Sequence, residues 1–155
     1  MTAVVAGSFD PITIGHVDLI ERACRLFDNV VVLVAVNSGK KYHFSRGTRA
    51  EAIRACFAGN AKIKVEEWNG LTADYVASIG GGVIVRGARC GSEYDGEKDL
   101  YDINSVLGVD ETIILPAKNE HRFISSTFVR ELMKYGKDIS DYIPAPALAV
   151  LKKEM

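Results

Sequence analysis

The chain has little with which to cross-link itself. Its three cysteines, Cys24, Cys56 and Cys90, are an odd number spread far apart, with no CxxC pair and no histidine at zinc-finger spacing, which argues against a disulfide framework or a structural zinc site. No stretch approaches the about 18 consecutive apolar residues of a membrane span, and the start lacks the basic lead and apolar core of a signal peptide. A cytoplasmic protein without a membrane partner is therefore expected. Charge of one sign is also missing: 19 Lys and Arg face 20 Asp and Glu, for a net charge of -1. No global field draws such a chain to nucleic acid or to an anionic membrane surface, so any anion site has to be built locally. His43 and His121 stand alone, without a carboxylate or second histidine at ligand spacing, and no protein-held metal is expected.

What is present suits one α/β domain over residues 1–155, since 155 residues with 48% hydrophobic side chains allow a full core and no linker or internal repeat divides them. Short β-rich runs occur at Ala3 to Ala6, from Asn29 ("NVVVLVAV"), Lys62 ("KIKVEEW"), Gly82 ("GVIVRG") and Glu111 ("ETIILP"). Between them Val17, Ile20, Cys24 and Phe27, then Ile53, Cys56 and Phe57, recur at helical steps. Val30 to Val36 is apolar without alternation, as in a strand buried on both faces, and such strands are parallel with helical crossovers. Further helices are read at "LTADYVASIG", at "SSTFVRELMKYG" ending at Gly136, and from Pro144.

In open α/β sheets, ligands settle beyond the carboxyl ends of the strands, where helix N-termini offer free N–H groups to phosphate. The stretch "AGSFDPITIGH", residues 6–16, stands at such a place. Gly7 and Gly15 let the backbone turn and approach a ligand, Pro11 stiffens the bend, and His16 belongs on the first helical turn facing Ser8 across a crevice. The run is neither GxGxxG nor a P-loop.

It is similar to the "GTFDPxTxGH" signature of the nucleotidyltransferase superfamily, whose TxGH element binds ATP phosphates. A second element of that superfamily, ISSxxVRE, resembles "FISSTFVRE" from Phe123 to Glu131. With "VNSGKKYHF", "WNGLTADYVAS" and "VIVRGAR" in matching order, the chain resembles the bacterial phosphopantetheine adenylyltransferase family over nearly its whole length. The resemblance implies a Rossmann-like open sheet of five parallel strands with helices on both faces, and a homohexamer. It implies ATP and 4'-phosphopantetheine as substrates, dephospho-coenzyme A and pyrophosphate as products, Mg2+ held through ATP phosphates and water, and coenzyme A as a feedback ligand.

The resemblance also assigns residues. His16 would bind the α-phosphate and stabilise the transition state, with Ser8 donating beside it, and Lys40 and Arg86 would grip the acceptor's phosphate. Arg89 would reach the ATP phosphates, and Phe9, Glu97 and the backbone of Gly87, Ala88 and Arg89 would surround the rest of the nucleotide. His121, Arg122, Phe123 and Ile124 would follow, and Ser125, Ser126 and Thr127 would hold the β- and γ-phosphates. Leu71 and Thr72 would contact the pantetheine arm, beside an apolar wall of Trp68 and Tyr75. Nucleotidyl transfer depends on positioning and charge stabilisation, so a set of donors without a protein nucleophile is the expected machinery.

Several positions depart from the family pattern. Ser8 stands for threonine, Thr127 for serine and His121 for an aromatic ring, and "NSGKK" lacks a proline. "RCGSEYDGEKDLYDIN" differs most, predicting a helix that starts late or packs differently. Each motif also has a plainer reading, "SSTFVRE" as a capped helix start, Lys40 and Lys41 as a solvated loop, Cys24 and Cys56 as core. Two rival functions remain at this level: a nucleotidyltransferase for another acceptor, and a nucleotide- or coenzyme A-binding regulator without catalysis.

Overall fold

The computed structural model describes residues 1–36 and 39–155; Asn37 and Ser38, part of the "VNSGKKYHF" run, lie outside the described residues. Five strands form one all-parallel sheet: β1 (Thr2–Gly7), β2 (Asn29–Ala35), β3 (Ile63–Trp68), β4 (Val83–Ala88) and β5 (Glu111–Pro116), in the order β3-β2-β1-β4-β5. Each expected strand is found, with no end shifted by more than one residue. The helices are α1 (Ile14–Leu26), α2 (Arg46–Cys56), α3 (Thr72–Ser78), α4 (Gly91–Val106), α5 (Ser126–Lys134) and α6 (Ala145–Leu151), with a 3-10 turn at Asn119–His121.

The apolar run of β2 is buried on both faces, for the reason its lack of alternation suggested. Val30, Val32 and Val34 join one core with Ile20, Ile53, Val129 and Leu151. Val31 and Leu33 join the other with Val4, Ile84, Tyr75 and Val76. Cys24 and Cys56 are half-buried against the first core, and burial raises the Cys56 thiol to about 11, which suits packing and not reactivity.

The sheet reverses its winding between β1 and β4, and this creates the crevice. β1 pairs with β2 as far as Gly7, but with β4 only at Ala3↔Val83 and Val4↔Ile84. Beyond that point the two central strands part, and their carboxyl ends frame an opening.

Candidate active site

A crevice of about 580 Å3 occupies this opening. Its floor is the end of β1 and β4, and its walls come from α1, α4, α5 and the loop carrying Lys40. At the entry of α1, Thr13 is the N-cap and His16 the third helical residue, and the two close a reciprocal cap. The His16 amide donates to Thr13 Oγ1 at 3.4 Å, and the Thr13 amide donates to His16 Nδ1 at 3.0 Å. A ring nitrogen that accepts a backbone N–H carries no proton, so the neutral ring holds its proton on Nε2. The local cap thereby sets the tautomer.

Burial, then the positive charges of Arg89 and Arg86, lower the His16 pKa from 6.5 to about 4. His16 is therefore a neutral donor at pH 7. The folded value lies below the unfolded one, so the unfolded chain binds more protons between these pH values and stability rises with pH. Lowering pH from 6.5 to about 4 should remove at most about 3 kcal/mol of stability, less what solvent screens at this part-exposed ring. Thermal midpoints across that range should fall more steeply in the unaltered protein than in His16→Ala; equal slopes would contradict this role.

Phe9 supports the ring edge-on, with centroids 5.1 Å apart. Its backbone is left-handed (φ 46°), an uncommon state for a residue with a side chain, and the phenyl is 3% exposed. Gly7 makes room for it, because a Cβ there would lie 3.1 Å from the Phe9 ring. Gly15 has a different place from the one expected: it sits within the first turn of α1 without a positive φ, so helix formation and not a turn explains its backbone.

Lys40 Nζ lies 3.4 Å from Ser8 Oγ, bringing two distant sequence positions to one spot. Two groups that the sequence did not single out secure this meeting. Asp10 is 1% exposed and its carboxylate accepts the amides of His43 (2.8 Å) and Phe44 (2.9 Å), tying the Lys40 loop to the β1–α1 loop. Arg49, also 1% exposed, donates to the Ser8 carbonyl and stacks over Tyr42, 4.1 Å from the ring centre. Arg130, quoted within a motif but not given a role, donates to the Asp10 carbonyl and to Thr127 Oγ1 at 3.1 Å.

The second motif reaches the same crevice. Ser125 caps α5 by accepting the Phe128 amide at 3.0 Å, and Ser126 Oγ donates to the Pro11 carbonyl at 2.8 Å. Both residues and Thr127 line the crevice, as do Ile124 and His121, whose buried Nδ1 has no hydrogen-bond partner among the described residues. From β4, the turn after it and α4 come Arg86, Gly87, Arg89 and Glu97. Arg86 has its Nε and Nη2 on Glu97 at 2.6 and 2.8 Å and its Nη1 on the Ala6 carbonyl at 2.6 Å. Asp18, likewise not singled out, pairs with Lys118 (2.5 Å) and Arg22 (3.5 Å) on the opposite wall.

Other assigned residues lie elsewhere. Ala88 is buried, and Arg122 and Phe123 border a shallower depression beside Cys90. Leu71 is exposed and, with Thr72, starts α3 outside the crevice lining. Trp68 and Tyr75 pack on each other at 5.3 Å, Tyr75 as part of the core. The unusual segment after Cys90 is helical from Gly91 onward, not from a later start. Its packing is loose: no residue of α4 is buried, and Gly91 and Gly96 face open space.

Known proteins resemble this chain in sequence and in fold. Residues 4–132 match the cytidylyltransferase-like family model. A phosphopantetheine adenylyltransferase of Porphyromonas gingivalis is 41% identical over 142 residues, covering 92% of this chain and 93% of the relative. One from Acidovorax sp. is 43% identical over 91% of this chain and 86% of its own, and one from Deinococcus radiodurans is 38% identical over 99% and 93%. A solved structure from Vibrio parahaemolyticus, described as a proposed nicotinate-nucleotide adenylyltransferase, superposes with a TM-score of 0.71 at 17% identity, over 98% of this chain and 91% of that one, a likeness of fold. On the family match and these relatives, the chain belongs to the cytidylyltransferase-like nucleotidyltransferases and, among them, to the phosphopantetheine adenylyltransferase family.

Proposed function

We propose that the chain transfers the adenylyl group of ATP to 4'-phosphopantetheine, giving dephospho-coenzyme A and pyrophosphate on the way to coenzyme A. An oxygen of the acceptor phosphate bonds to the α-phosphorus while the bond from that phosphorus to the oxygen bridging to the β-phosphate breaks. The observation that carries the reading is the convergence of Ser8, His16, Lys40, Arg86 and Ser126 on one crevice at the switch between β1 and β4. The His16 Nε2–H donates to the α-phosphoryl oxygen, where charge gathers in the transition state. Lys40 and Ser8 hold the attacking phosphate in line, with Arg86 beside them. The hydroxyls of Ser125 and Thr127 and the amides of the first α5 residues take the β- and γ-phosphates, while the Ser126 hydroxyl stays on the Pro11 carbonyl.

The carboxylates facing this crevice already hold cations: Asp18 has Lys118 and Arg22, Glu93 has Arg89, and Glu97 has Arg86. That suits Mg2+ held through the ATP phosphates and water, with no protein cage; bound there, it would offset negative charge on the pyrophosphate. Self-association as a homohexamer belongs to the same reading and rests on the family resemblance; the apolar side chains that α4 exposes, among them Ile103 and Val106, are available to such an interface. Coenzyme A as a feedback ligand, and the cytoplasm as location, also belong to it.

The test is the stereochemistry of transfer from ATP carrying a chiral α-thiophosphate. Inversion in the dephospho-coenzyme A product is expected from a single in-line displacement. Retention would require an adenylyl-protein intermediate and would contradict a site made of donors.

A further inference from the structure

The two arginines at the end of β4 are held in the same way by one helix. Arg89 places Nε on Glu93 Oε2 at 3.2 Å, Nη2 on Glu93 Oε1, and Nη1 on the Ile124 carbonyl at 3.3 Å. Its own amide also donates to Glu93 Oε2, at 2.9 Å. Arg86 uses the same three nitrogens on Glu97 and the Ala6 carbonyl. Glu93 and Glu97 lie four residues apart on α4, on one helical face, and both border the crevice.

A guanidinium has five N–H donors. Among the described residues three are used in each case, and the two left are one on each terminal nitrogen, the number a phosphate takes in a paired contact. A free arginine of this length loses rotamer freedom when a ligand orders it. A braced one has lost that freedom already.

We propose that Glu93 is a positioning residue for the nucleotide: its carboxylate fixes Arg89 from the α4 side so that the remaining N–H pair meets the ATP phosphates, as Glu97 fixes Arg86. This rests on the adenylyltransferase reading and adds to it a residue that the family motifs leave without a role. Arg89's hydrogen bonds hold the Glu93 carboxyl below the usual carboxylate range, so the brace is charged at neutral pH. The brace is also local to this helix. α4 buries none of its residues, so the acids are held mainly by the arginines they hold.

The test is calorimetric ATP binding to the full chain without acceptor, for the unaltered protein, Glu93→Ala, Glu93→Gln, Arg89→Ala and the double variant Glu93→Ala/Arg89→Ala, with thermal midpoints alongside. Glu93→Ala should weaken ATP by about tenfold with an unchanged midpoint. Glu93→Gln, isosteric and with one acceptor oxygen left, should lose less in the same direction. The double variant should bind no more weakly than Arg89→Ala, because a residue acting through another adds nothing once its partner is gone. Unchanged or tighter ATP binding in Glu93→Ala, or an additive loss in the double variant, would overturn the brace. ATP binding that depends on Glu93 as expected, but without turnover of phosphopantetheine, would instead overturn the function and leave the brace; an unaltered protein that binds no ATP would overturn both.

Discussion

His16→Ala should lower turnover by roughly 100- to 1000-fold while leaving ATP affinity within about fivefold of the unaltered protein. The expectation follows from where the proton is. Nδ1 is occupied by the Thr13 amide, so the ring has one donor, on Nε2, and burial with Arg89 and Arg86 keeps the ring neutral. A neutral donor adds little to ground-state binding of a polyanion, but it gains strength as charge builds on the α-phosphoryl oxygen. Removing the ring also removes half of the reciprocal cap on α1, costing about 1 kcal/mol of stability. The variant should therefore stay folded, and its kinetic loss belongs to the missing donor. Single-turnover rates beside ATP titrations decide the matter. A loss confined to ATP affinity, or near-normal turnover, would refute the assignment.

Arg86→Ala should raise the KM for phosphopantetheine by roughly 10- to 100-fold, and Lys40→Ala by about tenfold, the scale of charged hydrogen bonds lost. Arg86 is the larger because of what it leaves behind. Glu97 has a side chain only 14% exposed, with Arg86 as its ion-pair partner, and without the arginine its carboxylate would repel an incoming phosphate. Lys40 lies on a loop, near Ser8 and over Tyr42, and its removal strands no buried charge. Arg86→Lys should recover less than its retained charge suggests, because a point charge cannot replace a fork held on Glu97 and Ala6 at once. Initial rates at saturating ATP separate the two parameters, and an unchanged acceptor KM in both alanine variants would sink the acceptor assignment.

Much of this site could be read along the chain, and what could not has a common cause. The buried parallel strand β2 follows from an apolar run without alternation, and the place of His16 follows from a helix start just after Thr13, both local signals. Asp10, Arg49 and Glu93 gave no such signal. Asp10 meets residues 33 and 34 positions away, and Arg49 meets Ser8 at a separation of 41, so their roles exist only once the sheet brings the loops together. Glu93 reads as an ordinary acid in a helix's first turn, and its i+4 distance from Arg89 resembles any surface pair. The reverse also occurs. Ser125 serves as both the plain helix cap and a lining residue, so its two readings were never exclusive. Leu71 and Thr72 were placed by motif order alone, and the crevice forms without them.

The most direct measurement is pyrophosphate release by the purified protein with ATP and Mg2+, in three parallel reactions containing 4'-phosphopantetheine, nicotinate mononucleotide or no acceptor. Release that depends on phosphopantetheine, with the other two silent, is the predicted result. Release with nicotinate mononucleotide instead, or no release with either acceptor while ATP still binds, would contradict it.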